Sequence, residues 1–286
     1  MKGLIVMNPS LVHTHSSGLP LPIIPTFSPA EKLLIAMDFD GTLAPFSDNP
    51  LACRAEEGAI EALEQAAGLP NVEAMVISGR NLGNLVNATQ QQLTSPIQLV
   101  GSHGAEPAPT GGENVSAELG QPHPQLSEEQ LTLWQQLSAV AHEVARTAPG
   151  VWVELKPLAV GLHSRTAEDP EVAAIATAKY RKFALGQPAA KVTEGKCILE
   201  VAVDSTSKGD YVQEFCADHG IDRVIFAGDD TTDESVLELL RHGHDIGIHV
   251  DSDGSGKATA AEYGLGSTAA MRDYLQQLVG QLTSRA

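Results

Sequence analysis

The sequence predicts an α/β fold in two parts, a largely parallel open sheet with helices on its faces and an inserted α+β segment. Three observations carry this. An apolar run from Leu33 to Met37 stops abruptly at Asp38-Phe39-Asp40-Gly41, as a buried parallel strand does when its carboxyl end reaches a polar edge. Strand-like and helix-like stretches alternate both before about residue 106 and after about residue 203. Between them the order is helix, two strands, helix, two strands, which suits an antiparallel sheet with helices on one face.

The elements follow in order. Residues 1–30 read as an irregular leader, because Pro9, Pro20, Pro22, Pro25 and Pro29 block regular structure, although Leu19, Leu21, Ile23 and Ile24 could lie extended on a surface. After the first strand comes a helix from Ala55 to Ala67, acidic in its first turns and ended by Gly68 and Pro70. Val72 to Ile77 is a second buried strand leading into Ser78-Gly79-Arg80. A short helix covers about Leu82 to Leu93, and a third strand, Ile97 to Val100, leads into Gly101-Ser102-His103-Gly104-Ala105-Glu106. Pro107 to Pro124 is rich in Gly and Pro and marks a linker. Ser127-Glu128-Glu129-Gln130 is a capping box, followed by a helix with an apolar stripe through Leu131, Trp134, Leu137, Val140, Ala141 and Val144.

Val151 to Lys156 and Ala159 to His163 form a hairpin through Pro157-Leu158, then come a helix from Glu171 to Leu185 and strands at Lys191 to Thr193 and Cys197 to Val203. The alternating pattern returns with a helix from Lys208 to His219, a strand from Arg223 to Ala227 ending in Gly228-Asp229-Asp230, and a helix from Thr232 to Leu240. A strand from Asp245 to Val250 and a helix from Ser267 to Leu282 complete it. The expected organisation is a leader (1–30), a Rossmann-like core (31–106 with 203–286) and an insert of pattern αββαββ (107–202). An insert over the strand ends can act as a lid.

The 286 residues allow one large domain or two ordinary ones. With 36 acidic against 18 basic residues the net charge is −18, which argues against a nucleic-acid or anionic-membrane partner. Cys53, Cys197 and Cys216 have no CxxC spacing; they form neither a disulfide framework nor a zinc site and fit a reducing, cytoplasmic setting. No apolar run reaches membrane-spanning length, and the apolar start of the chain is too short for a signal peptide.

Asp38 and Asp40, two apart on a strand, share one face. Carboxylates this close repel, and a metal ion, a lysine or a shared proton must compensate. A hard oxygen pair suits Mg²⁺; two solvated aspartates are the plainer alternative. Ser78, Lys208 and the Asp229/Asp230/Asp233 cluster also fall at strand ends or helix starts. Alone, each reads as a turn, a surface helix start, or a helix N-terminus that favours acids.

In chain order, Asp-x-Asp, then Ser, then Lys, then a second acidic cluster resembles the haloacid dehalogenase superfamily. The resemblance implies an aspartyl-phosphate on the nucleophile Asp38, with Asp40 as general acid and base. It implies Ser78 on phosphoryl oxygens, Lys208 offsetting charge, and Mg²⁺ held by Asp38, the Asp40 carbonyl and Asp229, with Asp230 and Asp233 behind them. The match narrows to the trehalose-6-phosphate phosphatase family through Asp38 to Pro45, Ile77-Ser78-Gly79-Arg80, Gly101 to Glu106, Val153-Glu154-Leu155-Lys156, His163-Ser164-Arg165, Leu199-Glu200-Val201 and Gly228 to Glu234. It covers about residue 31 to the end. It implies that Glu154, Lys156, Arg165 and Glu200 of the insert grip the disaccharide and its phosphate, with Arg80 also near substrate. His103, at a strand end, either contacts substrate or caps a turn, and the expected state is a monomer that can partner a trehalose-phosphate synthase. Ser164 stands where an aromatic is common, Val203 where proline is usual, and Ser207 where asparagine is typical.

Other readings are weaker. Asp251-Ser252-Asp253-Gly254-Ser255-Gly256 with Glu262 mimics a calcium loop, but a strand rather than a helix precedes it. His242 and His244 fit a helix end. Alternatives to trehalose 6-phosphate are sucrose phosphate and mannosyl phosphoglycerate. A non-catalytic sugar-phosphate-binding regulator is the alternative of a different class, and four intact charged groups weigh against it.

Overall fold

The computed structural model describes residues 18–284, apart from 48, 50, 51, 93, 94, 109–125, 196, 253 and 255. Most of the linker stretch and part of the calcium-like loop therefore lie outside the described residues. The chain divides into two compact units, Met1–Glu113 with Thr206–Ala286, and Asn114–Ser205.

The first unit runs β1 (Leu33–Met37), α1 (Ala59–Ala67), β2 (Val72–Ile77), α2 (Leu82–Thr89), β3 (Ile97–Gly101) and β4 (Glu106–Pro107). It resumes with α5 (Lys208–His219), β9 (Arg223–Gly228), α6 (Glu234–Leu237), β10 (Ile246–Val250), β11 (Tyr263–Leu265) and α7 (Thr268–Thr283). Its seven strands are ordered β11-β10-β9-β1-β2-β3-β4, all parallel except the β3–β4 pair. β1 is central and buried on both faces, so it reads as a continuous apolar run rather than an alternating one. Leu33, Ile35 and Met37 face α1 and α7, packing with Leu63, Tyr274 and Leu278. Leu34 and Ala36 face the other way, with Val212, Phe215 and Val236. Each leucine buried here contributes roughly 1.5–3 kcal/mol. Leu21, Ile24 and Phe27, from the segment before β1, pack against the first cluster.

The second unit runs α3 (Glu128–Ala145), β5 (Trp152–Leu155), β6 (Ala159–His163), α4 (Pro170–Leu185), β7 (Lys191–Gly195) and β8 (Ile198–Ala202). Its sheet has the order β5-β6-β8-β7 and is antiparallel throughout. Val160, Leu162, Leu199 and Val201 pack one face onto Leu137 and Ala141 of α3 and Ala176 and Tyr180 of α4. The Ser127 capping box starts α3, and the Asp169 side chain caps α4.

Several boundaries differ from the sequence reading. α1 begins at Ala59, not Ala55, because Gly58 sits in the left-handed region at φ 88 and breaks the turn before it. α6 is a single turn instead of the helix expected from Thr232 to Leu240. The Asp233 carboxylate accepts from the Asp229 and Asp230 N–H groups and folds the preceding residues into a tight loop. α2 ends at Thr89, where Gln90 takes a left-handed cap. The two- and three-residue strands β4 and β11 are too short to leave a periodic signal.

Asp245 secures the amino-terminal edge of β9 and β10. It accepts from the Val224 N–H at 3.0 Å, the Arg241 N–H at 2.8 Å and the Arg241 guanidinium at 2.8 and 2.9 Å. Burial pushes this carboxyl up, but the guanidinium and the two backbone donors outweigh burial and its pKa falls to about 2. A folded pKa below the unfolded value adds stability above the unfolded pKa and loses it as pH falls through the folded one. Asp245→Asn is therefore expected to cost about 2 kcal/mol at neutral pH, with the gap closing between about pH 4 and pH 2. Urea unfolding of both proteins across that range checks it; a pH-independent gap would contradict the assignment.

Candidate active site

The carboxyl ends of β1 and β9, and the start of α5, bring four charged side chains into one buried cluster. Lys208 is 2% exposed, and its ammonium donates to Asp38 Oδ1 at 2.5 Å and to Asp233 Oδ1 at 2.7 Å. The other Asp233 oxygen caps the loop after β9 through the Asp229 and Asp230 N–H groups, each at 3.0 Å. Glycines make this crowding possible. A Cβ on Gly41 (φ 82) would stand 2.3 Å from Asp229 Oδ2, and one on Gly228 would stand 2.3 Å from the Asp233 carboxyl. A Cβ on Gly209 would meet the Ser235 carbonyl at 2.1 Å, so the start of α5 can lie against α6 only without one.

Three buried carboxylates face one ammonium. Burial would lower the Lys208 pKa, but Asp38 and Asp233 outweigh it and hold the ammonium charged. Burial, then Asp38 and Asp233, push Asp229 well above the carboxylate range. Burial also pushes Asp38 up, against the pull of Lys208. Ionising all three carboxylates would leave negative charge that the single ammonium does not offset. Ligand atoms of Asp38, Asp229 and Asp233 lie within 4.8 Å of one another, and an all-carboxylate oxygen set suits a hard divalent cation. In the Asp38–Thr42 loop the fully buried Thr42 hydroxyl has no hydrogen-bond partner among the described residues, as expected of a group that completes its bonding with a ligand or water. The donor set fits a metal. Asp233, read from sequence as standing behind the ligands, offers an oxygen beside those of Asp38 and Asp229.

The Asp40 side chain lies outside that group. Arg80 forks onto it, Nη2 to Oδ1 at 2.6 Å and Nε to Oδ2 at 2.7 Å, and the Cys53 thiol donates to Oδ1 at 3.6 Å. The guanidinium also lies over the Phe39 ring. Ser78 is buried at the end of β2, and its hydroxyl accepts from the Arg80 N–H at 3.1 Å. His103 follows β3 in a 3-10 turn where both Ser102 (φ 48) and His103 (φ 57) are left-handed, a costly conformation for residues with a Cβ. Glu106 holds the turn, accepting from the Ser102 hydroxyl at 2.8 Å and the Leu82 N–H at 2.9 Å. The His103 ring packs against Gly79, whose missing Cβ would meet it at 2.6 Å. Asp230 is half exposed beside Lys257, 3.2 Å away.

Glu154, Lys156, Arg165 and Glu200 belong to the second unit. Lys156 pairs with Glu200, His163 Nε2 lies 2.8 Å from Glu154 Oε2, and Arg165 is exposed in the turn after β6. Sequence reasoning missed Glu106, Cys53, Lys257 and the role of His163 as a partner of Glu154. Only Glu106 and His163 lay inside stretches already singled out.

A largely parallel sheet with acids at its central strand ends and an inserted antiparallel α+β unit is a fold also seen in a solved phosphatase of the haloacid dehalogenase superfamily. A phosphatase of that superfamily from Bacteroides thetaiotaomicron superposes with a TM-score of 0.53 at 16% identity, covering 90% of this chain and 98% of that one. This chain belongs to the trehalose-phosphatase family, whose model matches residues 36–269. It is 32% identical over 261 residues to the trehalose-phosphate phosphatase of Mycobacterium tuberculosis, covering 88% of this chain and 63% of that protein. The structure of Aspergillus fumigatus trehalose-6-phosphate phosphatase is similar with a TM-score of 0.63 at 25% identity, covering 92% of this chain and 100% of that one. The chain spans 62–63% of the length of the curated mycobacterial relatives it matches. Among the described residues no helix is long and apolar enough to cross a membrane.

The raised Asp229 carboxyl yields a signed prediction. An acid whose folded pKa is raised destabilises the fold at every pH above its unfolded pKa, increasingly up to the folded one. With divalent cations chelated at neutral pH, Asp229→Asn is expected to stabilise the protein by about 2 kcal/mol. Magnesium is expected to raise the thermal midpoint of the unmutated chain and to have little effect on the variant. Calorimetric melts with chelator and with Mg²⁺ check this; a variant less stable in chelator would contradict it.

Proposed function

We propose that this chain is a Mg²⁺-dependent phosphatase that hydrolyses trehalose 6-phosphate to trehalose and phosphate through an aspartyl-phosphate on Asp38. The carrying observation is the buried Asp38–Lys208–Asp233 arrangement with Asp229 beside it, in a chain of the trehalose-phosphatase family. Asp38 Oδ attacks phosphorus as the bond from phosphorus to the sugar oxygen breaks, and Asp40 gives its proton to the departing oxygen. Asp40 then takes a proton from water, whose oxygen attacks the same phosphorus and releases Asp38 as the acyl–phosphate bond breaks. Lys208 answers the charge on Asp38 and on the phosphoryl group, and the Ser78 hydroxyl and nearby N–H groups hold phosphoryl oxygens. Asp38, Asp229 and either Asp233 or the Asp40 carbonyl would hold Mg²⁺, which would supply charge neutralisation at the transferring group.

Arg80 gains a second role in this reading. The guanidinium occupies both Asp40 oxygens. An arriving phosphate dianion offers Arg80 a competing partner, and exchange opens the Asp40 oxygens for the proton transfers above. Glu154, Lys156, Arg165 and Glu200 take the sugar hydroxyls and phosphate, with His103 also near substrate. Free Cys53, Cys197 and Cys216 suit a reducing cytoplasm, where a monomer would act on the product of a trehalose-phosphate synthase.

Phosphate release from a panel of sugar phosphates tests the substrate. Trehalose 6-phosphate is expected to give the highest kcat/KM, and preference for sucrose phosphate or mannosyl phosphoglycerate would contradict the substrate while leaving the reaction class. Asp38→Asn is expected to lower kcat by about 10³-fold or more while sugar-phosphate binding survives. Retained turnover would overturn Asp38 as nucleophile, and a biological effect that survives the variant would favour the non-catalytic binder.

A further inference from the structure

The second unit's sheet packs one face on α3 and α4. Its register sets Trp152 opposite His163, Glu154 opposite Gly161, and Gly161 opposite Glu200, so these residues share the other face. Three observations on that face belong together. Trp152 is 47% exposed and is not part of the core, yet its indole lies flat on the His163 imidazole, 3.9 Å between centroids and 3° between planes. His163 Nε2 lies 2.8 Å from Glu154 Oε2, within hydrogen-bond distance. Gly161 lies beneath the pair, and a Cβ there would stand 3.6 Å from both Glu154 Cβ and His163 Nε2.

Core packing does not account for a half-exposed tryptophan stacked on a polar ring. The arrangement removes freedom from the imidazole, and through it from Glu154. It commits Oε2 of Glu154 and leaves Oε1 without a hydrogen bond among the described residues. Glu200 is arranged alike, with Oε2 on Lys156 and Oε1 unbonded among those residues. Two carboxylates, each with one oxygen anchored and one open, form an acceptor pair for hydroxyl groups.

We propose that Trp152 and His163 are positioning residues for sugar recognition: the indole fixes the imidazole, the imidazole fixes Glu154, and Glu154 Oε1 receives a hydroxyl of the disaccharide. This rests on the function proposed above and adds a determinant of its specificity. Fixing a long side chain before binding spares its ordering cost, worth roughly 3- to 10-fold in affinity.

Steady-state kinetics of the full chain with Mg²⁺, on trehalose 6-phosphate and on p-nitrophenyl phosphate, test it. Trp152→Ala and His163→Ala are expected to raise KM for the disaccharide phosphate by roughly 3- to 10-fold with kcat held, and to leave aryl phosphate turnover unchanged. His163→Gln, which keeps an N–H donor, and Trp152→Phe, which keeps a flat face, are expected to restore most of the loss. In a Glu154→Ala background, His163→Ala is expected to add nothing. Unchanged KM in both alanine variants, or equal losses on both substrates, overturns the assignment while the phosphatase reading stands. An unmutated chain active on the aryl phosphate but inactive on the disaccharide phosphate overturns the substrate, and this inference with it.

Discussion

The first unit depends on one ammonium shared by two carboxylates. Lys208 bonds Asp38, 170 residues earlier, and Asp233, 25 residues later. All three are nearly free of solvent contact. Taking charges out of water costs several kcal/mol per ion, and removing one partner from such a pair destabilises by about 3–5 kcal/mol. The surroundings are shaped to meet that cost. Gly228 and Gly209 let Asp233 and α6 approach, and the second Asp233 oxygen takes two backbone N–H groups, so no part of that carboxylate is wasted. Asp229 is the carboxylate left over, raised first by burial and then by the neighbouring Asp38 and Asp233. A cluster built this way offers an all-carboxylate oxygen set suited to a hard divalent cation.

Around it the chain accepts local strain to aim side chains. Two consecutive left-handed residues, Ser102 and His103, persist because Glu106 ties them to the first turn of α2. That tie also fixes the approach of the His103 ring to Gly79, in the turn that carries Ser78 and Arg80. Arg80 in turn holds Asp40 by both oxygens. Asp40, at 32% side-chain exposure, is more open than Asp38, at 7%, in keeping with the exchange of partners proposed for Asp40.

Much of this was legible in the sequence. The apolar run into Asp38-Phe39-Asp40 marked the central strand, because a parallel strand buried on both faces leaves a continuous signal. Lys208 and Asp233 were legible as charged residues at element starts, and the start of α5 at Lys208 was read without error. What the sequence could not carry was pairing. Nothing local says that Arg80 forks onto Asp40, that Asp233 reaches the same lysine as Asp38, or that Trp152 stacks on His163, since each is set by register between strands or by loops meeting in space. The helix boundaries that moved did so where the backbone turns left-handed, at Gly58 and Gln90, and where the Asp233 carboxylate folds its own loop. Both are effects of backbone conformation that a hydrophobic pattern does not record.

The attacking role of Asp38 is tested most directly by acid quenching during turnover of a phosphate-labelled substrate, followed by peptide mapping. The expected result is a hydroxylamine-labile label on the peptide that carries Asp38, absent from Asp38→Asn. A label on another residue, or turnover with no trapped adduct under any quench time, would contradict it.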